Sequence, residues 1–223
     1  MARHTKDEAL ATRHRLLDAA EVVFQAQGVS QTSLQQIAEH AGATRGAIYW
    51  HFKDKADLFN AMMDRVTLPL AVAAQASEGM EPDPLGEVER MLVAALKILT
   101  TDLQVRRVLD VATHKVEYTH DMASVQRRHV GMRNARVAEF DKALRLAARA
   151  KRIRLAIPAL SAAQGLHALI SGLIQNWLLD PTAFDLVQVG RRAFGVYVEG
   201  LGFRAERPAT GSAPRRDRRR HDG

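Results

Sequence analysis

The sequence predicts an all-α protein. Two observations carry that expectation: apolar residues recur at helical spacing almost throughout, and no strand-like alternation of useful length interrupts them. Capping residues, glycines and prolines between the periodic stretches then mark where each helix begins and ends.

Leu16, Ala20, Val23 and Phe24 lie on one face of a first helix that stops at Gly28, a residue suited to a left-handed cap. A second helix begins at Thr32, which forms a T-x-x-Q capping box with Gln35. Leu34, Ile37, Ala38 and Ala41 follow at core spacing, and Gly42 ends the helix. Thr44 caps a third, very short helix in which only Ala47, Ile48 and Phe52 point inward. Asp54 caps a fourth, with Leu58, Phe59, Met62, Met63 and Val66 along it and Pro69 near its end. These segments make a small three-helix unit and a helix leading out of it.

A loop with Gly79, Pro82 and Pro84 precedes a fifth helix bearing Val88, Met91, Leu92, Ala95 and Leu96. Helical spacing resumes over roughly 103–116 and 121–149. Pro158 suits the first turn of a helix that runs through Leu160, Leu166, Leu169, Ile170, Leu173, Ile174 and Trp177 until Asp180-Pro181 stops it. A last helix covers about 185–201, with Val189, Phe194 and Val198 on it. These last two helices are apolar over more than one face. One face serves the chain's own core, and a second needs another partner. The economical partner is the same helix pair of a second subunit, giving a homodimer; a central place in a large bundle is the alternative.

Composition narrows the function classes. With 223 residues, 47% of them apolar, the chain can bury the core of one large or two modest domains. The absence of cysteine excludes a disulfide framework, a thiolate nucleophile and a Cys-based zinc site, and fits a reducing compartment. There is no signal-peptide core and no apolar run near the roughly 18 residues that a bilayer requires, so the expected place is the cytoplasm, with no membrane partner. The nine histidines show no zinc-binding spacing, and there is no G-x-S-x-G elbow or phosphate loop. The expectation is therefore neither an enzyme nor a metal or cofactor protein. The net charge of +7 suggests a nucleic-acid partner only if it is concentrated at a site. It is not: residues 1–67 hold 8 basic and 8 acidic side chains, and more than half of the excess lies in 204–223. That last stretch, with Arg215-Arg216-Asp217-Arg218-Arg219-Arg220, has almost nothing apolar to bury and reads as a disordered basic tail.

Thr32 to Ala41, a turn at Gly42-Ala43 and Thr44 to Phe52 make a helix-turn-helix. The outer face of its second helix keeps Arg45, Gly46, Tyr49, Trp50 and His51, with Lys53 and Lys55 just beyond. Arg45 can reach guanine O6 and N7, Gly46 lets backbone approach a duplex, and Tyr49 and His51 can donate to phosphate or press on a thymine methyl. Lys55, in the first turn of the fourth helix, sits where backbone amides also favour a phosphate, and the Thr32 and Thr44 hydroxyls can both cap a helix and touch one. The alternative, a solvated aromatic face, leaves a Tyr and a Trp exposed on eight residues without a reason.

Across Leu16 to Phe59 this order and spacing closely resemble the DNA-binding domain of TetR-family transcriptional repressors. The carriers are Ile37-Ala38, Ala41-Gly42, Thr44 through Phe52, Lys55 and Leu58-Phe59. The opening Ala2 to Ala9 and the block Arg45 to Phe52 look particularly like the branch that represses multidrug efflux pumps of the resistance-nodulation-division type. Ala43 stands where relatives often carry Val. The resemblance implies that Arg45, Gly46 and Tyr49 approach bases while Thr32, Trp50, His51 and Lys55 hold phosphates. It also implies a dimer on a palindromic operator and an effector cavity in the second domain, taking a small amphipathic or aromatic molecule.

For that cavity the inward-facing candidates are Val66, Met91, Leu92, Leu109, Thr113, Phe140, His167, Ile170, Ser171 and Ile174. Gly165, Ala168 and Gly172 leave room beside their helix, either for a ligand or for close packing at a dimer seam. Asp110 and Glu117 would neutralise a cationic drug if they faced inward; surface pairing with Arg106, Arg107 or Lys115 is the other reading. The expected domains are 1–53 for DNA, 54–203 for ligand and dimerisation, and 204–223 as the tail. A regulator of a catabolic or stress operon, or a DNA-binding dimer without a ligand, are the competing functions.

Overall fold

A computed structural model describes residues 2–75 and 83–203. The expected tail at 204–223, and Gly79 and Pro82 of the expected loop, lie outside them. The described residues form helices α1 (Ala2–Gln27), α2 (Leu34–His40), α3 (Arg45–His51), α4 (Lys55–Gln75), α5 (Pro84–Thr101), α6 (Leu103–His114), α7 (Ala123–Ala150), α8 (Ala159–Leu179) and α9 (Leu186–Gly200). A single 3-10 turn, His120–Met122, precedes α7, and no strand occurs among the described residues. None of these helices is long and apolar enough to cross a membrane.

The first three helices share one small core. Leu16, Ala20 and Phe24 of α1 are fully buried with Ile37, Ile48 and Phe52, and Phe24 stacks obliquely on Phe59 of α4 at 6.1 Å. α1 ends where expected: Gly28 takes φ 82° and donates its amide to Phe24 O. α2 begins one residue later than the spacing predicts. Ser33, not Thr32, is the N-cap, with Gln36 returning the reciprocal bond, because the Thr32 hydroxyl is buried and donates to Gly28 O at 2.7 Å. The helix-turn-helix turn is a Schellman motif. Ala43 N donates to Ala38 O and Gly42 N to Glu39 O, with Gly42 at φ 62°. A Cβ at Gly42 would meet nothing within 4 Å, so the glycine is there for its backbone angle alone.

Three expectations about proline need correction. α4 continues six residues past Pro69 to Gln75, a placement that forgoes one backbone hydrogen bond. Pro84 belongs to the first turn of α5 behind the Asp83 cap, where its missing N–H costs nothing. Pro158 caps α8 instead of entering it.

The rest is a bundle around Leu92, Leu96, Leu99, Val108, Leu144, Ala162, Leu166 and Phe194. Small residues set how closely its helices approach. The room at Gly165 is filled by the Tyr197 ring of α9, whose hydroxyl donates to Ala162 O at 2.8 Å, so here packing and not a void explains the glycine. Gly165→Ala should push that hydroxyl off Ala162 O and lower stability by about 1 to 2 kcal/mol in urea unfolding, a loss that Tyr197→Phe should reduce. An unchanged midpoint for Gly165→Ala would show that the α8–α9 contact is not tight at this point.

Candidate nucleic-acid interface

α3 is short because little of it has a core to join. Of its seven residues only Ile48 is buried, and Phe52 anchors its C-terminal end. Thr44 closes the other end, its hydroxyl accepting from Ala47 N at 3.1 Å. The remaining side chains stand outward: Trp50 is 73% exposed and Tyr49 50%, with the Arg45 guanidinium 5.8 Å from the Tyr49 ring. Gly46 is also on this face, and a Cβ there would meet only Thr44 Oγ1 at 3.9 Å. Nothing within the chain requires a glycine at that position, which makes it a local cost to the helix.

His51 is half-buried, with the Trp50 ring edge-on at 4.5 Å and Phe52 beyond it. Burial, then the nearby Arg13 charge, hold its pKa below the ordinary histidine value, so it presents a neutral ring at neutral pH. Arg13 itself lies 5.2 Å from the Phe52 ring. It is a basic residue beside this face that helical spacing alone did not single out.

Two of the residues expected to hold phosphates have prior commitments. The Thr32 hydroxyl is turned inward on Gly28 O. Lys55 Nζ donates to Ser30 O at 3.3 Å and Thr32 O at 3.2 Å, and stands 4.0 Å from Asp121. The start of α4 is acidic as well: Asp54 accepts from Asp57 N and Asp57 from Lys53 N. Tyr49, Trp50, Arg45 and Gly46 therefore form one open surface, flanked by Thr44 and His51, while Lys55 and Thr32 secure the turn beneath it.

The reading head is fastened to the second half of the chain along α6. Near its first turn, Gln104 Nε2 donates at 2.8 Å to Glu21 Oε1 of α1, which also accepts from Arg65 of α4 at 3.2 Å. Arg65 reaches Asp18 at 2.7 Å. Just beyond the other end of α6, Lys115 O accepts from Val29 N at 2.9 Å. Asp18 and Glu21 are thus acidic residues of the head that serve its attachment.

The ten expected cavity positions differ in burial. Val66, Leu92 and Phe140 are buried; Met91, Leu109, His167, Ile170 and Ile174 are half-buried; Thr113 and Ser171 are exposed. Asp110 pairs with His114 on its own helix, Nδ1 to Oδ1 at 2.9 Å. A cleft does occur between α4, α6 and α7, walled by Phe59, Met63, Ala112, Val116, Val125 and Met132 with Asn60, Tyr118, Arg128 and His129 at its polar edge. None of the ten lines it. The signal was faint because its walls come from three helices and the segment after α6, distant from one another in the chain. No cluster of metal-ligating side chains occurs among the described residues.

A helix-turn-helix held by its own core, presenting an open aromatic and basic face and tied to a larger helical domain, defines a two-domain DNA-binding regulator. The profile of bacterial regulatory proteins of the tetR family matches residues 16–62, and that of the C-terminal region of MAATS-type transcriptional repressors matches 83–203. The chain belongs to the tetR family. It is 38% identical over 200 residues to the HTH-type transcriptional repressor BepR of Brucella suis, covering 89% of this chain and 96% of BepR. It superposes with a TM-score of 0.77 and 36% identity on NalD, the secondary repressor of the MexAB-OprM multidrug efflux pump in Pseudomonas aeruginosa, over 87% of this chain and 97% of NalD. A complex of SmeT with triclosan aligns at 28% identity and a TM-score of 0.70, over 85% of this chain and 90% of SmeT; SmeT represses the multidrug efflux pump SmeDEF of Stenotrophomonas maltophilia.

Burial drives the Glu21 pKa upward against the opposing bonds from Gln104 and Arg65. The folded chain therefore keeps this proton to higher pH than the unfolded chain. The associated stability is full below the ordinary carboxylate value and is lost as pH rises through the raised one. Relative to Glu21→Gln, the wild-type chain should lose stability as the pH rises above the ordinary carboxylate range. Parallel stability curves for the two would rule out a shifted Glu21.

Proposed function

We propose that the chain is a dimeric repressor of a multidrug efflux operon, released from a palindromic operator by a small molecule. The observation that carries the DNA half is the α3 surface: an exposed Trp and Tyr, an arginine and a costly glycine on seven residues, with no use inside the chain. In this reading Arg45 reads a guanine, Tyr49 presses on base or phosphate, and Gly46 admits the backbone to the major groove. Thr44, Trp50 and His51 hold phosphates, His51 as a neutral N–H donor. Lys55 and Thr32 act first by shaping the turn, with any phosphate contact secondary to the bonds they already make. The efflux target is supported by what NalD and SmeT repress, and the small-molecule release by the triclosan complex of SmeT. A repressor of such an operon works in the cytoplasm. The domain limits that fit are 1–53, 54–203 and 204–223.

The dimer is assigned to α8 and α9. Supporting this, Leu160 and Leu179 of α8 and Val196 of α9 are 49%, 68% and 72% exposed, large apolar groups that the other described residues leave uncovered. Two subunits joined there would present their α3 helices to successive major grooves, with half-sites about 34 to 36 Å apart or a multiple of that.

Two experiments test this reading. Arg45→Ala should weaken operator binding by about 1 to 3 kcal/mol in gel shifts and weaken random DNA much less; an equal loss on both would remove its base-reading role. Val196→Asp should convert the dimer to monomer in sedimentation analysis and abolish operator binding, and a variant that stays dimeric would move the interface elsewhere.

A further inference from the structure

Arg13 of α1 is a cation of the reading head that neither the turn nor the attachment of α6 uses. It stands three and four residues before Leu16 and Leu17 and seven before Ala20, so it continues toward the N-terminus the stripe that α1 buries. One turn earlier the core has run out, and Leu10 is 53% exposed. An arginine at such an edge covers apolar surface with its stem and keeps its head toward water. Arg13 is accordingly half-buried, with its guanidinium 5.2 Å from the centroid of the Phe52 ring, which is itself fully buried. From Phe52 a row of rings runs outward along the end of α3. The Phe52 and His51 centroids are 6.2 Å apart, and those of His51 and exposed Trp50 are 4.5 Å apart. The row starts on a cation of α1 and ends on the open surface of α3.

What this guanidinium lacks is a carboxylate. Asp18 and Glu21, further along α1, are taken by Arg65 and Gln104. Asp54 and Asp57, at the start of α4, accept backbone amides. No carboxylate pairs with Arg13 among the described residues. Holding a charge partly out of water without a partner is costly, and contact with an aromatic face offsets only part of that cost. Stacking engages the flat side of the guanidinium and leaves the N–H donors on its rim unused. The neighbouring His51 is kept neutral, by burial and then by the Arg13 charge. A planar cation with free donors, fixed on a ring, matches the oxygens of a phosphate better than a mobile lysine does.

We propose that Arg13, held on the Phe52 ring, binds a backbone phosphate of duplex DNA beside the C-terminal end of α3. Position selects backbone over base: the N-terminal residues of a recognition helix meet base edges, and Arg13 stands at the other end of α3 from Arg45. The contact fills the role expected of Lys55 and Thr32, whose donors are spent on the carbonyls of Ser30, Thr32 and Gly28. It extends the DNA surface to α1, an element outside the helix-turn-helix. The proposal rests on α3 being the DNA face.

The experiment uses the full-length protein and two duplexes, one selected from a random pool by the wild-type chain and one of arbitrary sequence. Affinities are measured by anisotropy across a salt series. Arg13→Met keeps an apolar stem on Phe52 and removes the charge. It should weaken both duplexes by a similar factor, about tenfold at low salt. The slope of log K against log salt should become shallower by about one, so that the wild-type advantage shrinks about threefold between about 50 and about 200 mM salt. Arg13→Lys should keep the wild-type slope. Melting temperatures report whether each variant is folded, and if Arg13→Met is not, Arg13→Gln against Arg13→Lys makes the same comparison of charge. An unchanged slope in the uncharged variant would overturn the proposal whether or not affinity falls, because lost packing alone releases no counterion. A loss confined to the selected duplex would assign Arg13 to a base and overturn it equally. In both cases salt-dependent binding by the wild-type chain leaves the DNA face standing. Wild-type protein that binds neither duplex would count against that face itself, and the proposal would fall with it.

Discussion

The position of α3 depends on one buried carboxylate. Glu21 lies in α1 with a side chain only 3% exposed, and takes bonds from Arg65 of α4 and Gln104 of α6. Burial already disfavours the charged form of Glu21, and the bonds from Arg65 and Gln104 oppose that cost, so losing either leaves a buried carboxyl short of partners. The three helices are thereby held together at this point. The Val29 amide on Lys115 O fixes α6 to the head a second time, so α6 is attached to the head near both ends. A displacement of α6 must carry α1 with it or strand Glu21. Because α3 is seated on the same small core through Ile48 and Phe52, motion of α1 reaches the recognition surface by packing alone.

The recognition surface shows the opposite economy. α3 has one fully buried residue of its own, a helix-weakening glycine and two exposed aromatic rings. Its order comes from its ends: the Schellman turn at Gly42-Ala43 and Thr44 before it, Phe52 after it. Lys55 clamps the carbonyls of Ser30 and Thr32 from the next helix. The basic groups closest to this face hence divide into those that shape it and those left to meet a partner. Net charge predicts neither share, since residues 1–67 are neutral in sum.

Much of this was legible in the sequence, and what was missed has physical causes. Thr32 and Ser33 each stand three residues before a glutamine, so two capping boxes in adjacent registers were possible; the buried bond from Thr32 to Gly28 O chose the second. Pro69 is a helix breaker by local rules, yet α4 runs through it. Gly165 read equally well as room for a ligand or for a helix, and the Tyr197 ring from α9 decided it. The engagement of Asp18 and Glu21 leaves no local trace, because their partner Arg65 is more than forty residues away. The cleft was missed in the same way, since it is assembled from elements distant in the chain.

The sequence by itself determined the helices, their caps and turns, the short outer face from Thr44 to His51 and the family they resemble. All of these depend on spacings of at most a few residues, over which backbone geometry and side-chain type leave few choices. Only the tertiary structure decided which charged groups were already engaged. It assigned Lys55 and Thr32 to the turn, Glu21 and Arg65 to the attachment of α6, and Asp110 to His114. An ion pair or a shared hydrogen bond depends on distance in space, and a pairing that spans forty or eighty residues leaves no periodic trace in the chain.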